Sequence, residues 1–261
     1  MLGMNHAVAA AALSTLVVLS ACDNGSSPDT TSAPSSPSSP QANGAVPASD
    51  TFDAESLDRS WSIVEPGLVR TTVRDGALSL RLTGPALWFH GSRGVLLSKS
   101  VTGDFEATAT VHTESAASPG QPPAPMIRLA GLMARNPASD RTQKQNYVHI
   151  VVGNGPDGVL AVENKTTVDS NSVYEAPQWP SSDAELRICR VGSNFSLYKR
   201  PVGSDTWQLA ASYDRPDLPA TLQVGVDIYS PNTPPDLRAS VDEVGFQEVD
   251  DSDSCDADSR G

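Results

Sequence analysis

Leu222-Gln223-Val224-Gly225-Val226-Asp227-Ile228-Tyr229 reads apolar at every second position. Leu222, Val224, Val226 and Ile228 take one side of an extended strand, and Asp227 and Tyr229 take the other. Period 2 in so short a run marks a half-buried β-strand, because successive side chains leave a strand on opposite faces. Similar runs flank it. Leu78, Leu80 and Leu82 alternate, as do Phe105, Ala107, Ala109 and Val111. Val148, Ile150 and Val152 share one parity, with Tyr147, His149 and Val151 on the other. Leu186 with Ile188 and Phe195 with Leu197 follow. Ala239 with Val241 and Val244 with Phe246 close the series, with a register break between the pairs.

No segment after residue 50 shows a helical period, and Gly and Pro interrupt the chain throughout. Asp75-Gly76 is a two-residue hairpin signal. Asn154-Gly155-Pro156-Asp157-Gly158 and Gly203-Ser204-Asp205 mark further turns. The stretches Glu114 to Pro125 and Val168 to Ser182 read as surface loops. About a dozen short strands predict an all-β, two-sheet antiparallel sandwich.

Upstream the composition changes. Ala7 to Leu19 is a short apolar run of signal-peptide length. Leu19-Ser20-Ala21-Cys22 after it resembles the bacterial lipobox, although no Lys or Arg precedes the run. The resemblance implies cleavage before Cys22 and acyl chains on it. The lipid bilayer is then a partner, and the domain sits outside the cytoplasm on a cell membrane or outer membrane. Two or more acyl chains suffice for stable anchoring. The expected organisation is a signal peptide over 1–21, then Cys22 with a Ser- and Pro-rich linker to residue 50. A sandwich over 51–249 and an acidic tail over 250–261 follow. The linker lacks the apolar residues needed to fold and would span about 30 Å as a flexible coil.

The 261-residue chain carries a net charge of −13. No cluster of Lys and Arg offers itself to phosphates, so nucleic acid is excluded as a partner. Cys189 and Cys255 remain once Cys22 is lipidated. An exported protein permits either a disulfide between them or two free thiols.

Several motifs together resemble bacterial concanavalin A-like lectin/glucanase domains of the laminin-G-like branch. They are Asp50-Thr51-Phe52-Asp53 with Trp61, Val101-Thr102-Gly103-Asp104-Phe105-Glu106, and Ala130-Gly131-Leu132-Met133-Ala134-Arg135. Asn146-Tyr147-Val148, Leu186 to Gly192, Ser204-Asp205-Thr206-Trp207 and Val224-Gly225-Val226 complete the set. The resemblance implies a jelly roll whose concave face binds glycans. It also implies a structural calcium near the terminal strands, for which Asp53 and Asp242 are the candidate ligands.

The chemistry of the residues narrows the function. A glycosidase of this fold carries Glu-x-Asp-x-x-Glu on one strand; no such stretch occurs here. Glu106 and Glu163 are isolated and are expected as solvated strand residues. The chain therefore reads as not an enzyme. Gly153 to Gly158 fits G-x-G-x-x-G, but a strand follows where a nucleotide loop needs a helix. The histidines lack zinc-ligand spacing.

Strand parity sends Arg135, Tyr147, His149, Glu163 and Tyr229 away from the core. Aromatic rings with Arg and carboxylate groups suit a sugar, so these five form the candidate ligand site. Trp61 and Trp207 read as core aromatics, while Trp88 and Trp179 lie in loop-like stretches that could rim a groove. The reading is a non-catalytic carbohydrate-binding sandwich. The alternatives are a glycoside hydrolase of the same fold and a structural or adhesion module.

Overall fold

The computed structural model describes residues 46–140, 144–251 and 255. The signal segment, Cys22, the linker before residue 46 and most of the acidic tail lie outside the described residues.

Among the described residues, fourteen strands form two antiparallel sheets of seven. Sheet I contains, in order, β1 (Ser62–Val64), β4 (Val95–Thr102), β13 (Thr221–Tyr229), β6 (Arg128–Arg135), β7 (Tyr147–Asn154), β8 (Leu160–Val168) and β9 (Asn171–Glu175). Sheet II contains β12 (Gln208–Asp214), β11 (Asn194–Arg200), β10 (Asp183–Val191), β5 (Phe105–Glu114), β14 (Arg238–Glu248), β3 (Ala77–Leu82) and β2 (Val69–Arg74). The arrangement is a jelly-roll-like sandwich. Among the described residues no helix is long and apolar enough to cross a membrane.

The alternating residues do what their spacing requires. Leu222, Val224, Val226 and Ile228 lie in the central core with Val148, Ile150, Val152, Leu132 and Ala134. From sheet II, Leu78, Leu80, Val111, Leu186 and Phe195 meet them. Arg74 pairs with Ala77 across a two-residue turn. Asp75 and Gly76 there have φ of 54° and 74°, the left-handed pair that a type I′ hairpin needs. The register break in β14 falls between Val241 and Val244, as the pattern foretold. Gly155 to Gly158 closes the β7–β8 hairpin, with Gly158 donating to Gly155, so no nucleotide loop forms.

Three expectations change. The stretch Val168 to Ser182 is not all loop: Asn171–Glu175 pairs with β8 as an edge strand. Trp179 rims no groove; it is buried in the core, and its Nε1 donates to Asp183 O at 3.0 Å. Trp207 is only partly buried, beneath the guanidiniums of Arg187 and Arg200 at 4.8 and 4.2 Å from its ring.

Cys189 on β10 is bonded to Cys255, with their Cα atoms 5.7 Å apart. The bridge fastens residue 255 beside sheet II, where Arg187 donates to its carbonyl.

Candidate functional site

The outer face of sheet I is built from transverse rows set by strand register. One row runs Gln223, Arg135, Tyr147, Thr167 and Ser172. The next runs Gly225, Met133, His149, Lys165 and Tyr174. A third places Asp227, Gly131, Val151 and Glu163 side by side. Parity therefore brings polar groups from five strands onto one surface. Gly131 keeps its place in the third row free of a side chain. A Cβ there would lie 2.1 Å from the Ile150 carbonyl oxygen.

The five residues expected as a ligand site are brought together. They do not face solvent, which corrects the reading of an open polar surface. Tyr147 and His149 are 0% exposed, Glu163 and Tyr229 1%, and Arg135 2%. Their cover is the segment 83–94 between β3 and β4. Ala86 donates to Ser230 O at 2.8 Å at one end of this strap, and Ser172 Oγ accepts from His90 N at 2.8 Å at the other. Between those anchors Trp88 turns inward and is fully buried. It packs edge-on against Tyr147 at 5.5 Å and donates from Nε1 to Val95 O. Trp88 is thus a plug, where the sequence suggested a rim. Gly94 makes the fit possible, since a Cβ there would lie 2.6 Å from the Trp88 ring.

Beneath the strap lies a charge network. His149 directs Nδ1 to Asp227 Oδ2 at 3.0 Å and Nε2 to Glu163 Oε1 at 3.2 Å. Both ring nitrogens therefore meet carboxylate oxygens. Lys165 Nζ lies 2.7 Å from Glu163 Oε1 and donates to Trp88 O at 2.8 Å. Tyr229 donates to the same Glu163 oxygen at 2.6 Å, and its ring stacks on His149. Two carboxylates are thus met by the Lys165 ammonium, the His149 ring and the Tyr229 hydroxyl, and buried ions persist away from water only when so partnered.

The electrostatics follow from these contacts. Burial alone raises the Glu163 pKa. The His149 hydrogen bond and the Lys165 charge outweigh it and hold the group down at about 2. Burial pushes Tyr147 and Tyr229 upward, and Glu163 adds to the rise at Tyr229. Burial lowers Arg135 to about 10. Its guanidinium donates to the side-chain oxygens of Gln223 and Gln145. Asp227 Oδ1, fully buried, has no hydrogen-bond partner in the described structure.

Lys165 and Trp88 escaped the sequence reading as members of the cluster. Lys165 stands two residues beyond Glu163 and shares its parity, so period 2 placed it there. Nothing periodic marks the strap. The cluster reaches the surface at its β9 edge. There Phe89 and Tyr174 meet edge to face at 6.0 Å, each 5.6 Å from Lys165 Nζ, and Tyr174 is 40% exposed.

Glu106 lies elsewhere, on sheet II. It too is buried instead of solvated, 3.4 Å from Arg187. Asp53 accepts from Thr51, and Asp242 faces His112 at 3.4 Å. Among the described residues no group of three or more His, Cys, Asp or Glu side chains is placed to hold a metal. Calcium wants six to eight oxygens, so it rests on the resemblance alone.

No family model matches the chain, and no curated protein does. Solved structures share its fold. A functionally unknown protein from Saccharomyces cerevisiae superposes with a TM-score of 0.57 at 15% identity, over 74% of this chain and 98% of that one. The GH43 protein BlXynB from Bacillus licheniformis gives 0.60 at 13% identity, over 77% of this chain and 39% of that one. The CBM2 module of the evolved Dit of Lactobacillus casei BL23 phage J-1 gives 0.53 at 8% identity, over 80% and 98%. The chain spans well under half the length of the GH43 protein. Likeness at these identities establishes the fold.

Proposed function

We propose that this chain is a non-catalytic carbohydrate-binding sandwich, carried outside the cytoplasm on acylated Cys22. The ionised state of Glu163 carries the non-catalytic half. A glycosidase needs a carboxylic acid held protonated at working pH, opposite a second carboxylate. His149 and Lys165 hold Glu163 in the opposite state, with a pKa of about 2. Asp227 spends Oδ2 on His149.

The binding half rests on the surface outlet of the same cluster. Tyr174 and Phe89 offer ring faces, and Lys165 sets a cation beneath them. Sugars stack their C–H faces on such rings, and the buried network fixes the platform below. Arg135, Tyr147, His149, Glu163 and Tyr229 thereby act as the foundation of the site. The CBM2 module and the GH43 protein among the fold neighbours lend this reading support. The tether rests on Leu19-Ser20-Ala21-Cys22 and the linker to Asp50.

Affinity electrophoresis against a panel of neutral and charged polysaccharides tests the binding. Retardation by at least one glycan, reduced fivefold or more in Tyr174→Ala with an unchanged melting temperature, is the expected result. No retardation by any glycan overturns it. Mass spectrometry of the membrane fraction tests the anchor, with diacylated Cys22 expected and an unmodified secreted chain against it.

The glycoside hydrolase alternative draws on one observation, the unsatisfied Oδ1 of Asp227 on the same face as Glu163. Hydrolysis of any polysaccharide, abolished by Glu163→Gln, would favour it.

A further inference from the structure

Sheet II carries a basic row of which only one member is paired with a carboxylate among the described residues. Arg70 on β2 stands directly opposite Arg81 on β3, and Arg81 directly opposite Arg238 on β14. Like charges placed across from one another destabilise a sheet. Glu114, next in the row on β5, answers only Arg238, through its Nε and Nη2. Arg70 and Arg81 are exposed and have no carboxylate partner among the described residues. In a chain of net charge −13 this is a local reversal of sign.

The row borders a cavity of about 560 Å³, within the size range of small-ligand sites. Arg70, Arg81 and Arg128 line it together with a single carboxylate, Asp236. Arg128 is buried, and its guanidinium donates to the carbonyls of Pro235, Ala124 and Pro125. Its charge is thus solvated by the chain but not neutralised. Asp236 accepts from Ser115 Oγ and Ala117 N, which fixes its orientation. Pro234, Pro235 and Leu82 supply an apolar wall.

The geometry points to this cavity as a binding site for an acidic sugar, a uronate unit of a polysaccharide. Each part of the lining matches one part of such a ligand. Guanidinium forks take a carboxylate in bidentate fashion. Asp236 would repel a bare anion, but it accepts hydrogens from sugar hydroxyls. The proline wall suits the C–H face of a pyranose ring. Inorganic phosphate meets the arginines equally well, yet has no use for the wall and is opposed by Asp236. The site draws Arg70 and Arg81 from sheet II and Arg128 from the first residue of β6; it shares no residue with the Tyr174 platform, and its success or failure is independent of it.

Isothermal titration calorimetry of the full chain with trigalacturonate, galactotriose and inorganic phosphate tests the assignment. Trigalacturonate is expected to bind at least tenfold tighter than either of the others, and to weaken as salt rises from 20 to 300 mM, roughly as phosphate-type contacts do. Arg70→Gln combined with Arg81→Gln is expected to cost tenfold or more. Both side chains are exposed, and an unchanged melting curve confirms the fold. Tyr174→Ala is expected to leave this affinity intact. Equal binding of the neutral trimer or of phosphate overturns the assignment. So does a double variant that binds trigalacturonate like the wild type.

Discussion

The phenolic oxygen of Tyr229 donates to Glu163 Oε1 at 2.6 Å, from a ring that is itself stacked on His149. The bond is made where neither residue meets water, so its removal has no solvent replacement. Tyr229→Phe keeps the ring and deletes the donor. The expected cost is about 1.5–3 kcal/mol, the range for a hydrogen bond to a charged group. Urea unfolding monitored by tryptophan fluorescence reads it; an unchanged midpoint would show that the bond contributes nothing.

Acid should find Glu163. Its pKa is lowered in the fold from 4.5 to about 2. A carboxylate so depressed adds stability that is complete above its unfolded value and disappears as pH falls through the folded one. The loss is therefore expected between about pH 4.5 and 2, and totals roughly 3 kcal/mol for a shift of this size. Glu163→Gln is expected to lower stability at neutral pH and to flatten the acid limb. A variant whose stability falls across that window as steeply as the wild type would remove Glu163 from the account.

Trp88→Ala is expected to cost about 3–5 kcal/mol, as for other buried aromatics cut to Ala. Beyond the cavity, it releases the strap over the charge network. Hydrogen exchange at the amides of His90 and Ala86 is expected to quicken more than exchange in β5. Equal acceleration everywhere would mean that the strap does not open separately.

Serine at both Cys189 and Cys255 is expected to lower stability by about 4 kcal/mol, the entropy of a loop of this length in the unfolded chain. The bridge spans 66 residues. Reductant should shift the wild-type midpoint by the same amount and leave the variant alone. In a chain also carrying Cys22→Ala, denatured and unreduced, no titratable thiol is expected; two would contradict the bond.

The sandwich was legible because its core residues obey period 2. Val148, Ile150 and Val152 share one face whatever covers the other, and Asp75-Gly76 specifies its hairpin locally. Parity also sorted Arg135, Tyr147, His149, Glu163 and Tyr229 onto a common face. Their burial was not legible. It comes from residues 83–94, an aperiodic segment whose seat is fixed by distant partners at Ser230 and Ser172. Glu163 looked like a solvated residue because carboxylates are seldom buried unless paired, and its partner Lys165 was passed over. β9 escaped for a related reason. An edge strand buries little, so Asn171–Glu175 carries almost no apolar signature.

The Asp50–Val244 bridge seats the entering chain against its last strand, by reciprocal backbone bonds of 3.0 Å. Asp50 is further held by the Trp61 indole at 2.7 Å and by Lys99 at 3.8 Å. Next to it, Lys99 donates to the Ala48 carbonyl at 2.9 Å and Phe246 N to Ser49 Oγ at 2.9 Å, so a pull arriving from the amino-terminal side loads residues 48–50 together. Tension from that side is therefore shared by both sheets, through Lys99 on β4 and through Val244 and Phe246 on β14.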